Sequence, residues 1–155
     1  MSEQMSRRER VREQHPRSVP WPVEGDPDLV AVDSTWGRLQ RLDAAPGVPT
    51  VGELELLELV DDGAALIDCR TRGSFAGRTI PGSVLLPHDE IVDRRGELDQ
   101  GRVSILFCNG PQCPQSPDAI RRLLGEGFPA AALAYYRGGM HDWVTTAMPT
   151  QPRAD

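Results

Sequence analysis

The chain has 155 residues, which predicts one domain large enough to bury roughly 70 per cent of its unfolded surface. Its net charge of -6 argues against nucleic acid or an anionic membrane as the main partner. Three cysteines are too few for a disulfide scaffold, and no apolar stretch is long enough to span a membrane. We therefore expect a soluble protein of the reducing cytoplasm.

The N-terminal region differs in composition from the rest of the chain. Residues 1 to about 27 are rich in arginine and proline and predict a mobile arm or an extended peptide. No apolar segment follows Arg7 and Arg8, so we interpret them as part of a solvated tail and not as a twin-arginine signal. Apolar and polar residues alternate in DLVAVDSTWGRLQRL (28–42), which predicts a hairpin or two short strands on either side of DSTWG. The predicted divisions are an arm over 1–48, a folded domain over 49–150 and a tail over 151–155.

Helix signals recur from residue 50 onward. Thr50 and Glu53 have the spacing of a capping box before the apolar run ELELLELV, which Gly63 ends. DEIVDRR predicts a short helix that Gly96 ends, and Ser116 is a candidate N-cap. Two further helices are predicted over residues 117–126 and over GGMHDWV, which ends before Pro149.

Four short apolar runs predict buried strands between these helices. They are AALID (64–68), SVLLP (83–87), VSILF (103–107) and AALAYY (131–136). In the last strand we expect one of Tyr135 and Tyr136 to face inward and the other outward. Short apolar strands that alternate with helices predict an α/β fold around a mainly parallel sheet.

Cys108 directly follows the third predicted strand, where ligands bind in open parallel sheets. The loop that follows contains glycine and two prolines, so it can curl until several backbone N–H groups point at one spot near a helix N-terminus. The candidate donors are Asn109, Gly110, Gln112, Cys113, Gln115 and Ser116. Such an amide cradle favours an anion and predicts a Cys108 pKa below the usual value of about 8.5, hence a nucleophilic sulfur. The alternative is that Cys108 is a small buried residue at a strand end.

Five motifs occur in order between residues 49 and 150. They are Asp68-Cys69-Arg70, Phe75, Ile-Pro-Gly-Ser (80–83), the Phe107-Cys108 loop before a helix, and Gly-Gly-Met-His-Asp-Trp (138–143). The ordered set resembles the rhodanese-like domain family. The resemblance implies a five-stranded, mainly parallel sheet flanked by helices, preceded here by an N-terminal extension of about 45 residues that lies outside the resemblance.

The resemblance also implies a sulfurtransferase with two half-reactions. Cys108, as thiolate, accepts a sulfane sulfur from a donor, and the resulting persulfide passes it to cyanide, a thiol or a protein cysteine. The residues predicted to form the anion-binding cradle are Asn109, Gly110, Gln112, Cys113 and Ser116, with Arg70 as a source of charge, although Arg70 is at least as well suited to brace the fold by pairing with Asp68. No cofactor is required, because the sulfur is carried covalently. No metal site is predicted, since Cys108 and Cys113 lack CxxC spacing and the three histidines are scattered.

The cysteine loop departs from the family pattern. Seven residues (109–115) separate Cys108 from Ser116, which is longer than the compact family loop, and none of them is charged. Thiosulfate then has no charge partner in the loop, so we predict that it reacts weakly and that a persulfide or polysulfide reacts better, unless Arg70 or Arg72 supplies the charge. The absence of a loop arginine, with Pro114 six residues after Cys108, argues against a Cys-x5-Arg phosphatase or arsenate reductase.

The second loop cysteine, Cys113, has three possible roles. It lies nearer the helix start and could be the thiol with the lower pKa, it could resolve a Cys108 persulfide or sulfenate as a disulfide, or it could be passive. A rival function for the whole chain is a catalytically silent module that binds a partner or senses oxidants through both cysteines.

Five residues outside the loop complete the predictions. Cys69 is expected to be buried filler, and Trp143 to pack on the sheet after a tight turn at Gly138-Gly139. His88 is interpreted as a turn residue, with proton transfer as the alternative.

Overall fold

A computed structural model describes residues 21–31, 39–72 and 77–154. The strands are β1 (Trp21–Val23), β2 (Asp26–Ala31), β3 (Ala65–Asp68), β4 (Arg78–Thr79), β5 (Val84–Leu85), β6 (Ser104–Phe107), β7 (Leu133–Tyr136) and β8 (Gln151–Pro152). The α-helices are α1 (Glu53–Asp61), α2 (Gln115–Gly125) and α3 (Gly139–Thr145), with 3₁₀ turns at Arg95–Glu97 and Ala130–Ala132. No helix in these described ranges is long and apolar enough to cross a membrane.

The central sheet has four parallel strands in the order β5-β3-β6-β7. The α/β class and the four predicted strands are therefore confirmed, but the implied count of five is wrong for the described residues. Beyond β7, a single bridge is present in the described part of the chain: Thr50 bridges to Tyr135, where Tyr135 N–H donates to Pro49 O at 2.8 Å and Val51 N–H to Tyr135 O at 2.9 Å. Pairing cannot extend further, because proline has no N–H and α1 begins at Glu53.

Both faces of the sheet are covered. On one face, Ala119, Ile120 and Leu123 of α2 pack with Leu106 and Tyr135. On the other, α1 and α3 contribute the side chains of Leu56, Met140 and Trp143. Tyr135 and Tyr136 point to opposite faces, yet both are fully buried, so the prediction that one faces outward is wrong. A parallel sheet with helices on both sides leaves no solvent-facing side.

The helix starts differ from the predictions. Gly52 is the N-cap of α1 and its N–H donates to Glu55 Oε1 at 3.1 Å, so the predicted Thr50–Glu53 capping box is wrong. The Thr50 hydroxyl instead donates to Leu42 O at 2.6 Å. α1 ends two residues before Gly63, whose φ of 101° suits glycine, as predicted.

The segment DEIVDRR is not an α-helix. It forms successive turns, and the chain then tightens into the 3₁₀ turn Arg95–Glu97, within which Gly96 lies. Arg95 N–H and Glu97 N–H each donate to a carbonyl three residues back, which is the hydrogen-bond pattern of a 3₁₀ turn.

The termini also differ from the predictions. β1 and β2 form an antiparallel hairpin that turns at Gly25, so the hairpin lies earlier than predicted, and residues 32–38 lie outside the described ranges. No strand forms at 39–42, on the far side of DSTWG. Ala44 and Val48 are buried in the core, ahead of the predicted domain start, and β8 in the predicted tail pairs with β4.

Candidate active site

Cys108 lies directly after β6, where three parallel strands end side by side. The backbone N–H of Ser116 donates to Cys108 Sγ at 3.3 Å, and the Ser116 hydroxyl oxygen lies 3.1 Å from the same sulfur. α2 begins at Gln115 with Pro114 as N-cap, so the predicted N-cap role of Ser116 is wrong. Ser116 is fully buried in the first turn, where its unpaired N–H and its hydroxyl are both directed at the sulfur.

Cys113 receives the other amides of the loop. Cys108 Sγ lies 3.5 Å from Cys113 O, and the two cysteine side chains are hydrogen-bond partners. The Cys108 hydrogen bond, together with the N–H groups of Gln115 and Asn109 and the charge of His88, lowers the pKa of Cys113 to about 7 against the opposing effect of burial. These shifts favour a thiol–thiolate pair in which Cys113 ionises before Cys108.

The predicted lowering of the Cys108 pKa is wrong. Burial of the sulfur raises the pKa of Cys108 well above its usual value, the hydrogen bond to Cys113 and its charge raise it further, and only the Ser116 donors oppose this. Cys108 is 2% exposed, so its thiolate would lose most of its hydration. The proton that Cys108 must lose as it attacks has an acceptor in Cys113, which is already in hydrogen-bonding contact.

The predicted amide cradle is divided between the two sulfurs. The N–H of Ser116 donates to Cys108 Sγ, whereas the N–H of Asn109 lowers the pKa of Cys113. Cys113 N–H closes a turn onto Gly110 O at 3.0 Å. A Cβ at Gly110 would lie 2.9 Å from His141 Cβ, so glycine allows the loop to pack this closely against α3.

The loop is fixed on one side by α3. Met140 N–H donates to Cys108 O at 3.0 Å, and His141 N–H donates to Asn109 O at 2.8 Å. Gly139 permits this approach: its φ is 56°, and a Cβ there would collide with Cys108 O and lie 2.8 Å from Gly110 N. The predicted tight turn is thus present, and it positions the cysteine loop.

The loop is held on its other side by a residue that the sequence gave no reason to single out. Gln40 N–H donates to Pro111 O at 2.7 Å, and Gln40 Nε2 donates to Gln112 O at 3.3 Å. Arg137 in turn donates to Gln40 O at 2.9 and 3.2 Å. The segment before the sheet therefore braces the extended loop.

The model of the rhodanese-like domain family matches residues 53–146. The chain belongs to the rhodanese-like domain family. It is 31% identical over 101 residues to the HTH-type transcriptional regulator Rv0324 of Mycobacterium tuberculosis, an alignment that covers 64% of this chain and 43% of the regulator. The chain thus spans less than half the length of this curated relative.

Solved structures share the rhodanese-like fold. The rhodanese-like domain of the Alr3790 protein from Anabaena has a TM-score of 0.57 at 23% identity, covering 67% of this chain and 79% of that one. Thiosulfate sulfurtransferase from Pseudomonas aeruginosa has a TM-score of 0.57 at 24% identity, covering 73% of this chain and 22% of that one. The BH2092 protein of Bacillus halodurans has a TM-score of 0.59 at 21% identity, covering 69% and 82%. At these identities the likeness concerns the fold.

The Asp-x-Arg motif of this rhodanese-like domain braces the fold. Arg70 donates to Asp68 Oδ1 and Oδ2 at 3.0 and 2.7 Å and to Arg78 O at 2.5 Å, and it is fully buried. These contacts favour the bracing role and give no support to substrate binding by Arg70. Arg72 is paired with Glu90 at 2.9 Å. Phe75, the next element of the family pattern, lies outside the described residues.

His88 belongs to a small charged cluster next to the cysteine loop. Its Nδ1 lies 2.8 Å from Asp118 Oδ2, and Asp118 also pairs with Arg122 at 2.8 Å. His88 lowers the pKa of Cys113 electrostatically. Asp118 was not predicted as a site residue, although an acidic residue in the first turn of the helix after the loop could have indicated it.

Two predictions for buried residues are confirmed. Cys69 is fully buried, and burial raises the pKa of its thiol, which suits inert filler. Trp143 packs edge-on against Tyr136 with ring centroids 6.3 Å apart, and its Nε1–H donates to Pro149 O at 2.6 Å.

Proposed function

We propose that this rhodanese-like domain is a sulfurtransferase that moves a sulfane sulfur from a donor to a nucleophilic acceptor through a persulfide on Cys108. One observation carries the proposal: Cys108 lies at the carboxyl end of a central strand with Ser116 donors on its sulfur, and that sulfur lies 3.5 Å from the backbone oxygen of Cys113, whose side chain can accept its proton. Family membership and the shared fold are consistent with this chemistry.

In the first half-reaction, the Cys108 sulfur attacks the outer sulfur of a donor R–S–SH. The proton of Cys108 passes to the Cys113 thiolate, the donor S–S bond breaks, and RS⁻ leaves with the electron pair. Cys108 then carries S–SH. The Ser116 N–H and hydroxyl, which contact Cys108 Sγ in the resting state, stabilise negative charge on that sulfur when it later acts as a leaving group.

In the second half-reaction, an acceptor nucleophile attacks the outer sulfur, Cys108 departs as thiolate, and Cys113 returns its proton. No cofactor is needed. The proposed partners are a small sulfur donor and a small thiol, cyanide or protein thiol as acceptor, with neither nucleic acid nor membrane involved, and the proposed location is the cytoplasm. We expect small donors to react best, because Cys108 is 2% exposed.

The test is to incubate the protein with an inorganic polysulfide, quench with an alkylating agent and weigh the intact protein. We expect Cys113→Ser to gain the mass of one sulfur atom, which peptide mapping assigns to Cys108. Cys108→Ser should gain none, and Cys69→Ser is the matched control for the remaining cysteine. Retention of the added sulfur by Cys108→Ser would contradict the proposal.

A second candidate is a catalytically silent module that binds a partner or senses oxidants through Cys108 and Cys113. It is favoured by the raised pKa of the buried Cys108 thiol and by the similarity to a protein named as a transcriptional regulator. This candidate predicts a Cys108–Cys113 disulfide under mild peroxide together with no turnover of any sulfur donor. Catalytic transfer of sulfur to a thiol acceptor excludes it.

A further inference from the structure

The two cysteines of the loop are arranged so that one sulfur faces the other. Four residues separate them, and the hydrogen bond from Cys113 N–H to Gly110 O closes the turn that brings Cys113 back toward the end of β6. Cys108 Sγ, the atom that remains the inner sulfur of a Cys108 persulfide, lies 3.5 Å from Cys113 O, and the hydrogen bond between the two side chains shifts the pKa of both cysteines. A Cys113 thiolate is therefore already beside the atom whose attack forms a disulfide.

The surroundings favour Cys113 as the attacking thiolate. The backbone N–H groups of Asn109 and Gln115 lower the pKa of Cys113, and so does His88, whose Nδ1 lies 2.8 Å from Asp118 Oδ2. Cys113 is 6% exposed. A thiol whose pKa is lowered to about 7 is partly ionised at neutral pH and is therefore nucleophilic.

We propose that Cys113 resolves the Cys108 persulfide, so that the domain reduces sulfane sulfur to hydrosulfide and closes a Cys108–Cys113 disulfide. The inference rests on the proposed persulfide at Cys108. The balanced step is Cys108–S–SH + Cys113–S⁻ → Cys108–S–S–Cys113 + HS⁻. The new bond joins the two Sγ atoms, and the bond between Cys108 Sγ and the outer sulfur breaks.

The electrons and protons of this step are accounted for. The outer sulfur leaves with the bonding pair and is reduced from sulfane to sulfide, while the two cysteine sulfurs are oxidised to the disulfide. Before this step Cys113 releases the proton that it took from Cys108 to solvent or to the free RS⁻, a loss that its pKa of about 7 allows at neutral pH. A dithiol reductant reopens the disulfide by thiol–disulfide exchange and restores the resting thiol–thiolate pair.

This step gives the site a different product from simple sulfur transfer. An acceptor thiol competes with Cys113 for the persulfide by attacking the outer sulfur, whereas Cys113 attacks the inner one. Because Cys113 is intramolecular and already in contact, resolution is favoured when acceptors are scarce. The domain then consumes persulfide and releases hydrosulfide at the expense of a dithiol.

The experiment loads the protein with less than one equivalent of inorganic polysulfide, without any added thiol, and follows it by intact mass after alkylation and by peptide mapping. We expect the reacted wild-type protein to contain a Cys108–Cys113 disulfide, which is two hydrogen atoms lighter than the reduced pair and is not alkylated. We expect it to show no lasting sulfur adduct. We expect Cys113→Ser and Cys113→Ala to keep the added sulfur on Cys108. Circular dichroism checks that both variants are folded, and the disulfide peptide of wild type needs no variant.

The possible outcomes separate this inference from the proposed function. A sulfur adduct that lasts as long in wild type as in Cys113→Ser overturns the resolving role. So does an added sulfur found on Cys113 without a disulfide. Neither outcome contradicts a persulfide on Cys108 in Cys113→Ser, which peptide mapping detects separately. Failure of both wild type and Cys113→Ser to load Cys108 overturns the proposed function, and this inference with it. A dithiol that turns the loaded wild-type protein over, releasing hydrosulfide repeatedly, supports the full cycle.

Discussion

The replacement Cys108→Ala tests the thiol–thiolate pair, because it removes the hydrogen bond that is the largest contribution to the low pKa of Cys113. A hydrogen bond to a charged group contributes about 1.5–3 kcal/mol. At about 1.4 kcal/mol per pKa unit, its loss should raise the pKa of Cys113 by roughly one to two units from about 7. At pH 7 the thiolate fraction of Cys113 should fall from about a half to about a tenth or less.

The assay is the rate of alkylation by iodoacetamide as a function of pH, with mapping to identify the labelled cysteine. Cys108→Ser is the matched control, since its hydroxyl can still donate to the Cys113 sulfur and should give a smaller shift. An unchanged pKa of Cys113 in Cys108→Ala would refute the reasoning. So would a thiol of pKa near 7 that survives in Cys113→Ser, because the amides and His88 would then be acting on another sulfur.

Three further predictions concern the fold and the donor. Asp68→Asn leaves Arg70 buried without its charge partner and should lower the free energy of unfolding in urea by about 3–5 kcal/mol, whereas a loss under about 1 kcal/mol would show that the pair is dispensable. Gly139→Ala should cost about 1–2 kcal/mol or more, because φ is 56° and its Cβ would collide with Cys108 O, and it should slow sulfur uptake; unchanged stability and uptake would refute the positioning role. Thiosulfate should give a lower kcat/KM than glutathione persulfide, since the loop residues carry no charge, and equal values would contradict this.

The sequence was sufficient for the architecture wherever a local pattern and the tertiary environment agreed. Apolar runs such as VSILF become strands because only a sheet covered on both faces can bury every side chain of β6. The predicted starts of α1 and α2 are wrong, because several neighbouring residues can act as the N-cap and a sequence pattern does not distinguish among them. Ser116 is the clearest case, since a good N-cap residue lies inside the helix and donates to a sulfur instead.

The site was predictable in composition but not in its electrostatics. Position 108 follows from the strand end and the loop, yet which sulfur is ionised depends on burial and on the direction of individual N–H groups. The N–H groups of Asn109 and Gln115 were expected to stabilise a Cys108 thiolate, but they lower the pKa of Cys113 instead. Gln40 braces the loop from 72 residues away in sequence, and a contact of that separation leaves no trace in local periodicity.

The most direct test of the central proposal is the location of the sulfane sulfur after a single turnover. Cys113→Ser is exposed to one equivalent of inorganic polysulfide, alkylated at once, digested and mapped by mass spectrometry. The proposal predicts one extra sulfur on the peptide that carries Cys108 and its transfer to glutathione on addition of that thiol. An unlabelled Cys108 peptide, or an adduct that persists in Cys108→Ser, would contradict the proposal.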